Sequence, residues 1–382
     1  MKICLVAPVS GWRGGMHQYA ANLANSLAER GKVEVVGYKS LFPLWLYPGN
    51  SKRLSGEVPI RQDILVHEVL RYYSVLSSLR ASAVIENQIR PDVVDIQWIA
   101  PQHGFVLVPL MSRLRYKSKI RVVLTVHNVW PHERRIFDRG LSRAAFKLSH
   151  RLLVHAERMK EEVVRSFGVE PEKVTVIPHG ICASGEGRYA RAQARDRLGI
   201  KEKQVILFFG FVRPYKGLEY LIRAFKELVG RFDVALLIAG EFFSGLSECQ
   251  RELQKAGIAE RTYLFPRYIP YEEVPLFFGA ADVVVQPYVR FSGQSGVTQT
   301  AYQHSLPVVA TEVGGLPELV LHGKTGHIVK PGNVGELARA IEALLADEEK
   351  RREYGANGRR FLETHLAWEK IVERLLEIYA EA

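Results

Sequence analysis

Sulfur is scarce in this chain of 382 residues, which has only three cysteines and four methionines. Cys4, Cys182 and Cys249 are isolated. They have no metal-ligand spacing and form no disulfide framework, which points to a reducing compartment. No apolar run reaches the length of about 18 residues that a membrane-spanning helix requires. The apolar N-terminus, Met1–Val9, carries one basic residue and no small-residue cleavage site, so it reads as a first strand and not as a signal peptide. Asp-x-Asp is absent, so no divalent metal bridging a diphosphate through that motif is expected. Gly-x-Ser-x-Gly and a Cys/His nucleophile arrangement are also absent. Gly323-Lys324-Thr325 has Glu318 where a P-loop needs its leading glycine. His127 and His132 lie five apart in a loop with Pro131, and there is no His-Glu-x-x-His, so no zinc site is expected.

What is present is ample core material, with 47% hydrophobic and 24% charged residues. That composition excludes disorder as the main state. The length suits two domains of about 100–200 residues each. The net charge of +11 falls entirely within residues 1–182, which hold 26 Lys and Arg against 15 Asp and Glu. Residues 183–382 hold 26 of each sign. Arg113, Arg115, Lys117, Lys119 and Arg121 form one basic cluster. Arg134, Arg135, Arg139, Arg143, Lys147 and Arg151 form another. A solvated surface explains these clusters, and so does a face turned toward something anionic: a membrane, a phosphorylated acceptor or nucleic acid. The apolar, aromatic segment Leu41–Pro48 reads either as buried core or as a lipid-contacting loop.

Short β-branched runs alternate with amphipathic helical patterns. Strands are expected at Ile3–Val9, Val93–Ile99, Ile120–Val126, Leu152–Val154 and Val174–Ile177. A second series is expected at Val205–Phe209, Val234–Ala239, Thr262–Phe265, Asp282–Gln286, Pro307–Ala310 and His327–Val329. Helices are expected at Met16–Arg30, Leu218–Val229, Glu272–Ala280, Val334–Ala346 and Leu366–Glu381, with Asn333 and Glu336 spaced as a capping box. The alternation calls for an α/β fold with parallel sheets covered on both faces. The small and polar residues Cys182–Gly187 lie between the two strand series, where the charge balance also changes, and mark the linker.

Ligands of open α/β sheets bind beyond the carboxyl ends of the strands, and the unusual residues cluster there. The first strand runs into Ser10–Gly15, a glycine turn before a helix, where free N–H groups attract phosphate; an ordinary tight turn is the alternative. His127 ends the strand Ile120–Val126 and reads as a substrate contact or as a structural loop histidine. Arg213-Pro214-Tyr215-Lys216-Gly217 follows Val205–Phe209 and precedes a helix. Its two cations beside a helix start suit a diphosphate. Pro287–Thr300 is glycine-rich and precedes a helical run at Thr298–His304. Gln294, Ser295 and the backbone about Gly296 suit hydroxyls and a phosphate together, as in a sugar phosphate.

Phe209–Gly217, Pro287–Val297, Pro307–Glu318 and His322–Val329, in this order, resemble the retaining GT-B glycosyltransferases of the family 4 type. Ile177-Pro178-His179-Gly180 resembles the family's link into its second domain. Arg-Pro-Tyr-Lys-Gly and Ser-Gly-Gln-Ser-Gly-Val resemble one branch of it. The resemblance implies two Rossmann-like domains facing a central cleft. Residues 1–182 would bind an acceptor and 183–365 a nucleotide-sugar, while 366–382 would form a helix crossing back to the first domain. It implies that Gly14 and Gly15 approach the donor phosphates and that His127 lines the donor sugar. Arg213 and Lys216 would neutralise the leaving diphosphate. Gln294, Ser295, Gly296 and Val297 would hold sugar hydroxyls and phosphate, and the turn with Arg267 and Tyr268 would hold the base. Two departures stand out. The family's Glu-x7-Glu places read Ser292 and Thr300, and its arginine after the strand glycine reads Phe211, with Arg213 two residues on.

The expected activity is hexosyl transfer from a UDP- or GDP-sugar to a lipid-linked or phosphorylated glycan, as in polysaccharide biosynthesis, with retention, without metal and without a cofactor. The expected location is cytoplasmic, peripheral on the inner face of the cell membrane, with no nucleic-acid partner. The competing expectation is a catalytically inactive sugar-nucleotide-binding or regulatory protein. An epimerase or phosphorylase of the same fold is a further one.

Overall fold

The structure is a computed structural model describing residues 1–9, 15–40, 58–72, 74–130, 136–181 and 189–382. Gly14, Leu41–Pro48, His132, Arg134, Arg135 and the Cys182–Gly187 break lie outside the described residues. The chain divides into two compact units. Unit 1 comprises Met1–Ala183, Ser292–Gln294 and Leu366–Ala382; unit 2 comprises Ser184–Phe291 and Ser295–His365.

Unit 1 contains β1 (Lys2–Val6), α1 (Gly15–Ala28), β2 (Lys32–Ser40), β3 (Leu65–Arg71), α2 (Val75–Val84), β4 (Val93–Trp98) and α3 (Gly104–Tyr116). It continues with β5 (Arg121–Val126), α4 (Asp138–Leu148), β6 (Arg151–Val154), α5 (Glu157–Phe167) and β7 (Val174–Val176). Unit 2 contains α6 (Arg191–Leu198), β8 (Gln204–Phe209), α7 (Leu218–Val229), β9 (Val234–Ala239), α8 (Leu246–Ala256), β10 (Thr262–Phe265) and α9 (Val274–Ala280). It continues with β11 (Val283–Gln286), α10 (Gly296–Gln303), β12 (Val308–Thr311), α11 (Leu316–Leu319), β13 (Gly326–Val329), α12 (Val334–Leu345) and α13 (Glu348–His365). α14 (Trp368–Glu381) belongs to unit 1.

Both sheets are parallel, in the order β3-β2-β1-β4-β5-β6-β7 and β10-β9-β8-β11-β12-β13. Strands covered on both faces can be apolar throughout. β9, Val-Ala-Leu-Leu-Ile-Ala, is buried at every residue. The order reverses between β1 and β4 in unit 1 and between β8 and β11 in unit 2. That is where a doubly wound sheet opens a crevice for ligands.

β2 and β3 have no counterpart among the strands expected from sequence. β2 carries Glu34 and Gly37, which suit a strand poorly. Its partner β3 is a partly exposed edge. Glu34 is tolerated because Lys2 Nζ lies 2.9 Å and His67 Nε2 3.0 Å from its carboxylate. α14 closes one face of unit 1. Ile371, Val372, Leu375, Ile378 and Tyr379 pack with β1, α1 and β2 residues such as Ile3, Leu23 and Val35. The cap of α12 also forms. Asn333 Oδ1 accepts from the Glu336 amide at 3.0 Å, and Glu336 Oε1 accepts from Asn333 Nδ2 at 2.8 Å.

Candidate active site

In unit 2 the loops after β8 and β11 meet at the reversal point. Val212 bridges to Phe242 in the loop after β9. Gly217 has φ +65°, and a Cβ there would lie 2.1 Å from the Pro287 carbonyl oxygen, so only glycine allows the two loops this approach. Gly210 has φ +94°. A Cβ on it would sit 3.2 Å from Lys216 Nζ and 3.8 Å from Val297 Cγ2, which places the lysine amine near the first turn of α10.

Lys216 is buried. Its amine lies 5.3 Å from the Tyr288 ring centre, and among the described residues no carboxylate pairs with it. Desolvation pushes its ammonium below the ordinary lysine range; Tyr215 opposes this and Arg213 adds to it. Burying an unpaired cation costs several kcal/mol unless an anion compensates. Arg213 is half-buried and stacks its guanidinium 4.1 Å over Phe243. Phe211, in the place of the family arginine, lies 5.1 Å from Phe243 and 6.1 Å from Tyr268. Arg267 is exposed and paired with Glu273, and its Nη1 donates to the Tyr268 carbonyl at 3.3 Å.

Gln286, at the end of β11, organises the next loop. Its Nε2 donates to Ser295 Oγ at 2.6 Å, and its Oε1 accepts from Thr298 Oγ1 at 2.5 Å. Ser295 is buried, while Gly296 and Val297 are part-exposed at the start of α10. Thr300 returns its hydroxyl to the Gly296 carbonyl at 3.0 Å, so it contributes no carboxylate and no free hydroxyl proton. Ser292 is part-exposed. Gln294, within unit 1, binds backbone on both sides: its Oε1 accepts from the His179 amide at 3.2 Å, and its Nε2 donates to the His155 carbonyl.

Unit 1 places His127 at the end of β5, buried, with its Nε2 2.8 Å from Gln97 Oε1 on β4. His155 and His179 join it. Tyr19 of α1 packs its ring 4.9, 5.4 and 4.3 Å from His127, His155 and His179 respectively. Burial drives all three histidines below the ordinary range, His155 to about 4 and His179 to about 3, which keeps them neutral near pH 7. Gly15 opens α1, and nothing lies within 4 Å of a Cβ built there.

The structure therefore groups Arg213, Lys216, Ser295, Gly296 and Val297 in unit 2, with Arg267 and Tyr268 beyond Phe211. His127 and Gln294 lie in unit 1. The reading from sequence did not single out Gln97, His155, Gln286 or Tyr288. A polar residue near the carboxyl end of a largely apolar strand, as in Val-Val-Asp-Ile-Gln-Trp and Val-Val-Val-Gln, is the signal that marks the two glutamines.

The sequence profile described as Glycosyltransferase Family 4 matches residues 13–184. The profile described as glycosyl transferases group 1 matches residues 190–361. The D-inositol 3-phosphate glycosyltransferase of Nocardia farcinica is 31% identical over 415 aligned positions, covering 99% of this chain and 87% of that relative. This chain belongs to glycosyltransferase family 4. The chain spans about half the length of several other relatives. The GDP-mannose-dependent α-(1-6)-phosphatidylinositol monomannoside mannosyltransferase of Mycolicibacterium smegmatis is 36% identical over 198 residues, 50% of this chain and 51% of its own. Spore coat protein SA of Bacillus subtilis is 28% identical over 202 residues, 51% of this chain and 54% of its own. The fold of the glycosyltransferase is GT-B, with two Rossmann-like domains. Anabaena HepE, solved with UDP and glucose, has a TM-score of 0.78 at 17% identity, with both chains covered in full. Sucrose-phosphate synthase from Thermosynechococcus elongatus has a TM-score of 0.76 at 20% identity, covering 99% of this chain and 98% of its own.

Proposed function

We propose that this glycosyltransferase moves a hexose-type sugar from a UDP- or GDP-sugar to a lipid-linked or phosphorylated glycan, with retention and with no metal at the diphosphate. The observation that carries this reading is Lys216, a buried amine at the reversal point of the second sheet with no carboxylate partner among the described residues. A donor diphosphate supplies the missing anion. Arg213 offers a second cation, and the amides of Gly296 and Val297 stand at the positive end of α10. As the sugar C1–O bond breaks, negative charge grows on the diphosphate, and these groups stabilise it more than they stabilise the intact donor. The acceptor oxygen attacks C1 on the same face. Its proton passes to a diphosphate oxygen, so no protein carboxylate has to act as base. Two relatives, a D-inositol 3-phosphate glycosyltransferase and a phosphatidylinositol monomannoside mannosyltransferase, support a phosphorylated or lipid-linked acceptor.

A peripheral position on an anionic membrane has its own support. Among the described residues, the large hydrophobic side chains that remain exposed all lie in unit 1. Leu76 and Leu79 of α2 are 69% and 47% exposed, and Arg80 follows them. Phe105 and Phe137 are exposed 5.8 Å apart. The same unit carries most of the +11 charge, with 28 Lys and Arg against 19 Asp and Glu. No described helix is long and apolar enough to cross a membrane.

Thermal-shift titration with UDP, GDP, ADP and their sugar conjugates tests the donor site. At 100 times its dissociation constant, a ligand stabilises by about 2.7 kcal/mol. One nucleotide should raise the midpoint, and the double variant Arg213→Ala, Lys216→Ala should abolish the rise. No shift with any nucleotide sinks the reading. A shift without transfer to any glycan acceptor favours the inactive, sugar-nucleotide-binding alternative.

A further inference from the structure

Two hydrogen-bonded chains in unit 1 end facing each other. His155 Nδ1 lies 3.0 Å from the Ile177 carbonyl oxygen. A carbonyl can only accept, so Nδ1 holds the proton and Nε2 presents its lone pair. His127 Nε2 lies 2.8 Å from Gln97 Oε1. Gln97 also lowers the Asp95 carboxyl by hydrogen bonding, although its Nε2 makes no bond of ordinary geometry. That assigns the amide nitrogen to the Asp95 side and Oε1 to His127. His127 Nε2 therefore holds its proton, and Nδ1 presents a lone pair. These two bare nitrogens are 3.2 Å apart. His179 adds a third imidazole, with its Nδ1 3.0 Å from the Gly180 carbonyl. One ligand nitrogen from each of the three histidines lies within 4.8 Å of the others.

We propose that His127, His155 and His179 together bind one transition-metal ion of the zinc class. Two lone pairs facing at hydrogen-bond distance repel unless a cation lies between them. Two nitrogens of one tetrahedral ion, with metal–nitrogen bonds of about 2.0–2.1 Å, stand about 3.3 Å apart, which is close to the spacing found. Each ring gives its other N–H to an oxygen: Gln97 Oε1, the Ile177 carbonyl or the Gly180 carbonyl. Such partners orient metal-bound histidines and fix their tautomers. An all-imidazole set suits zinc, copper or nickel over magnesium or calcium. The ligands come from the ends of β5, β6 and β7, far apart in sequence, so the spacing of His127 and His132 could not reveal them. The site does not use Lys216 or Arg213, but it does take His127, which the family resemblance implies lines the donor sugar.

Cobalt(II) is the probe. The full chain, carrying no polyhistidine tag, is stripped with chelator and titrated at pH 7.5. A visible d–d band should saturate at one equivalent and bleach on adding zinc. His155→Ala should lose the band, and Gln97→Ala should weaken cobalt binding about 10–100-fold. The wild-type titration decides alone if His155→Ala fails to fold. Absence of a saturable band overturns the proposal. So does a band that persists in a folded His155→Ala protein, which would place the ion elsewhere. Imidazole nitrogen NMR of the metal-free protein that shows His127 protonated at Nδ1 also overturns it, because a turned Gln97 amide then completes a neutral hydrogen-bond relay.

Discussion

Each unit buries an aspartate beside the strand where its sheet reverses direction, and the two units satisfy it differently. In unit 2, Asp282 precedes β11 and is held by two guanidinium groups of α6: Arg195 at 2.5 Å and Arg191 at 3.1 Å. The Val205 amide adds a bond at 2.7 Å. In unit 1, Asp95 lies on β4 and has neutral partners: the hydroxyls of Tyr379 at 2.6 Å and Thr125 at 2.8 Å, and the Gln97 side chain. Desolvation pushes the Asp95 carboxyl up to about 6, against the pull of those hydrogen bonds. One strand order therefore supports two electrostatic designs. Unit 2 compensates its buried carboxylate with cations and, among the described residues, leaves the buried Lys216 without a carboxylate. The basic unit keeps its arginines at the surface and buries neutral histidines.

Replacing Asp282 with Ala should break this contrast most. It leaves the part-buried Arg195 without its carboxylate, at a cost of about 3 kcal/mol. All five tryptophans fall in unit 1, at positions 12, 45, 98, 130 and 368. Circular dichroism should therefore report early unfolding in denaturant, while tryptophan fluorescence holds its wild-type midpoint. Coincident transitions at the wild-type midpoint would show that the ion pairs carry little of unit 2's stability.

The Asp95→Asn variant sharpens the other side. Burial pushes the folded carboxyl up to about 6 from an ordinary value of 3.8, so the protonated form favours folding. That contribution is complete below the unfolded value and is lost as pH rises through the folded one. Wild-type stability relative to Asp95→Asn should fall between about pH 4 and pH 6, on the order of 3 kcal/mol in all. A pH-independent difference would refute the assignment.

Lys216→Ala should cost about 1.5–3 kcal/mol of nucleotide diphosphate binding, read by calorimetry. Because its ammonium is held below the ordinary lysine range, wild-type affinity should decline as pH rises toward that range. Lys216→Arg should flatten the decline, and an equally steep curve would assign the titration to another group. The smallest effect belongs to the surface. Leu76→Ser with Arg80→Ser should weaken co-sedimentation with anionic vesicles at low salt, by about 1 kcal/mol for the charge. Equal binding of the wild type to neutral vesicles, or to none, removes the membrane reading.

Much of the fold was legible because parallel strands advertise themselves. Val234–Ala239, Thr262–Phe265 and Leu218–Val229 have the bounds expected, and most other strands differ by one to three residues. β2 and β3 were not legible, because an edge strand with charged residues reads like a loop until Lys2 and His67 are seen on Glu34. The loop cations of unit 2 were legible from their place before a helix. The histidine group was not, because it is assembled from three strand ends separated by roughly 25 residues each. Periodicity and motif spacing carry no trace of such a meeting.

The bond between Tyr379 and Asp95 spans 284 positions. During synthesis β1, β4 and β5 emerge early, yet one wall of their core is α14, which leaves the ribosome only after all of unit 2. The first unit to appear is thus the last to be completed. Until then Ile3, Leu23 and Val35 lack the apolar cover that Ile371, Leu375 and Ile378 later provide. An unfinished nascent chain exposes that surface for the whole time unit 2 is being made, which is when a holding chaperone or early proteolysis would act on it.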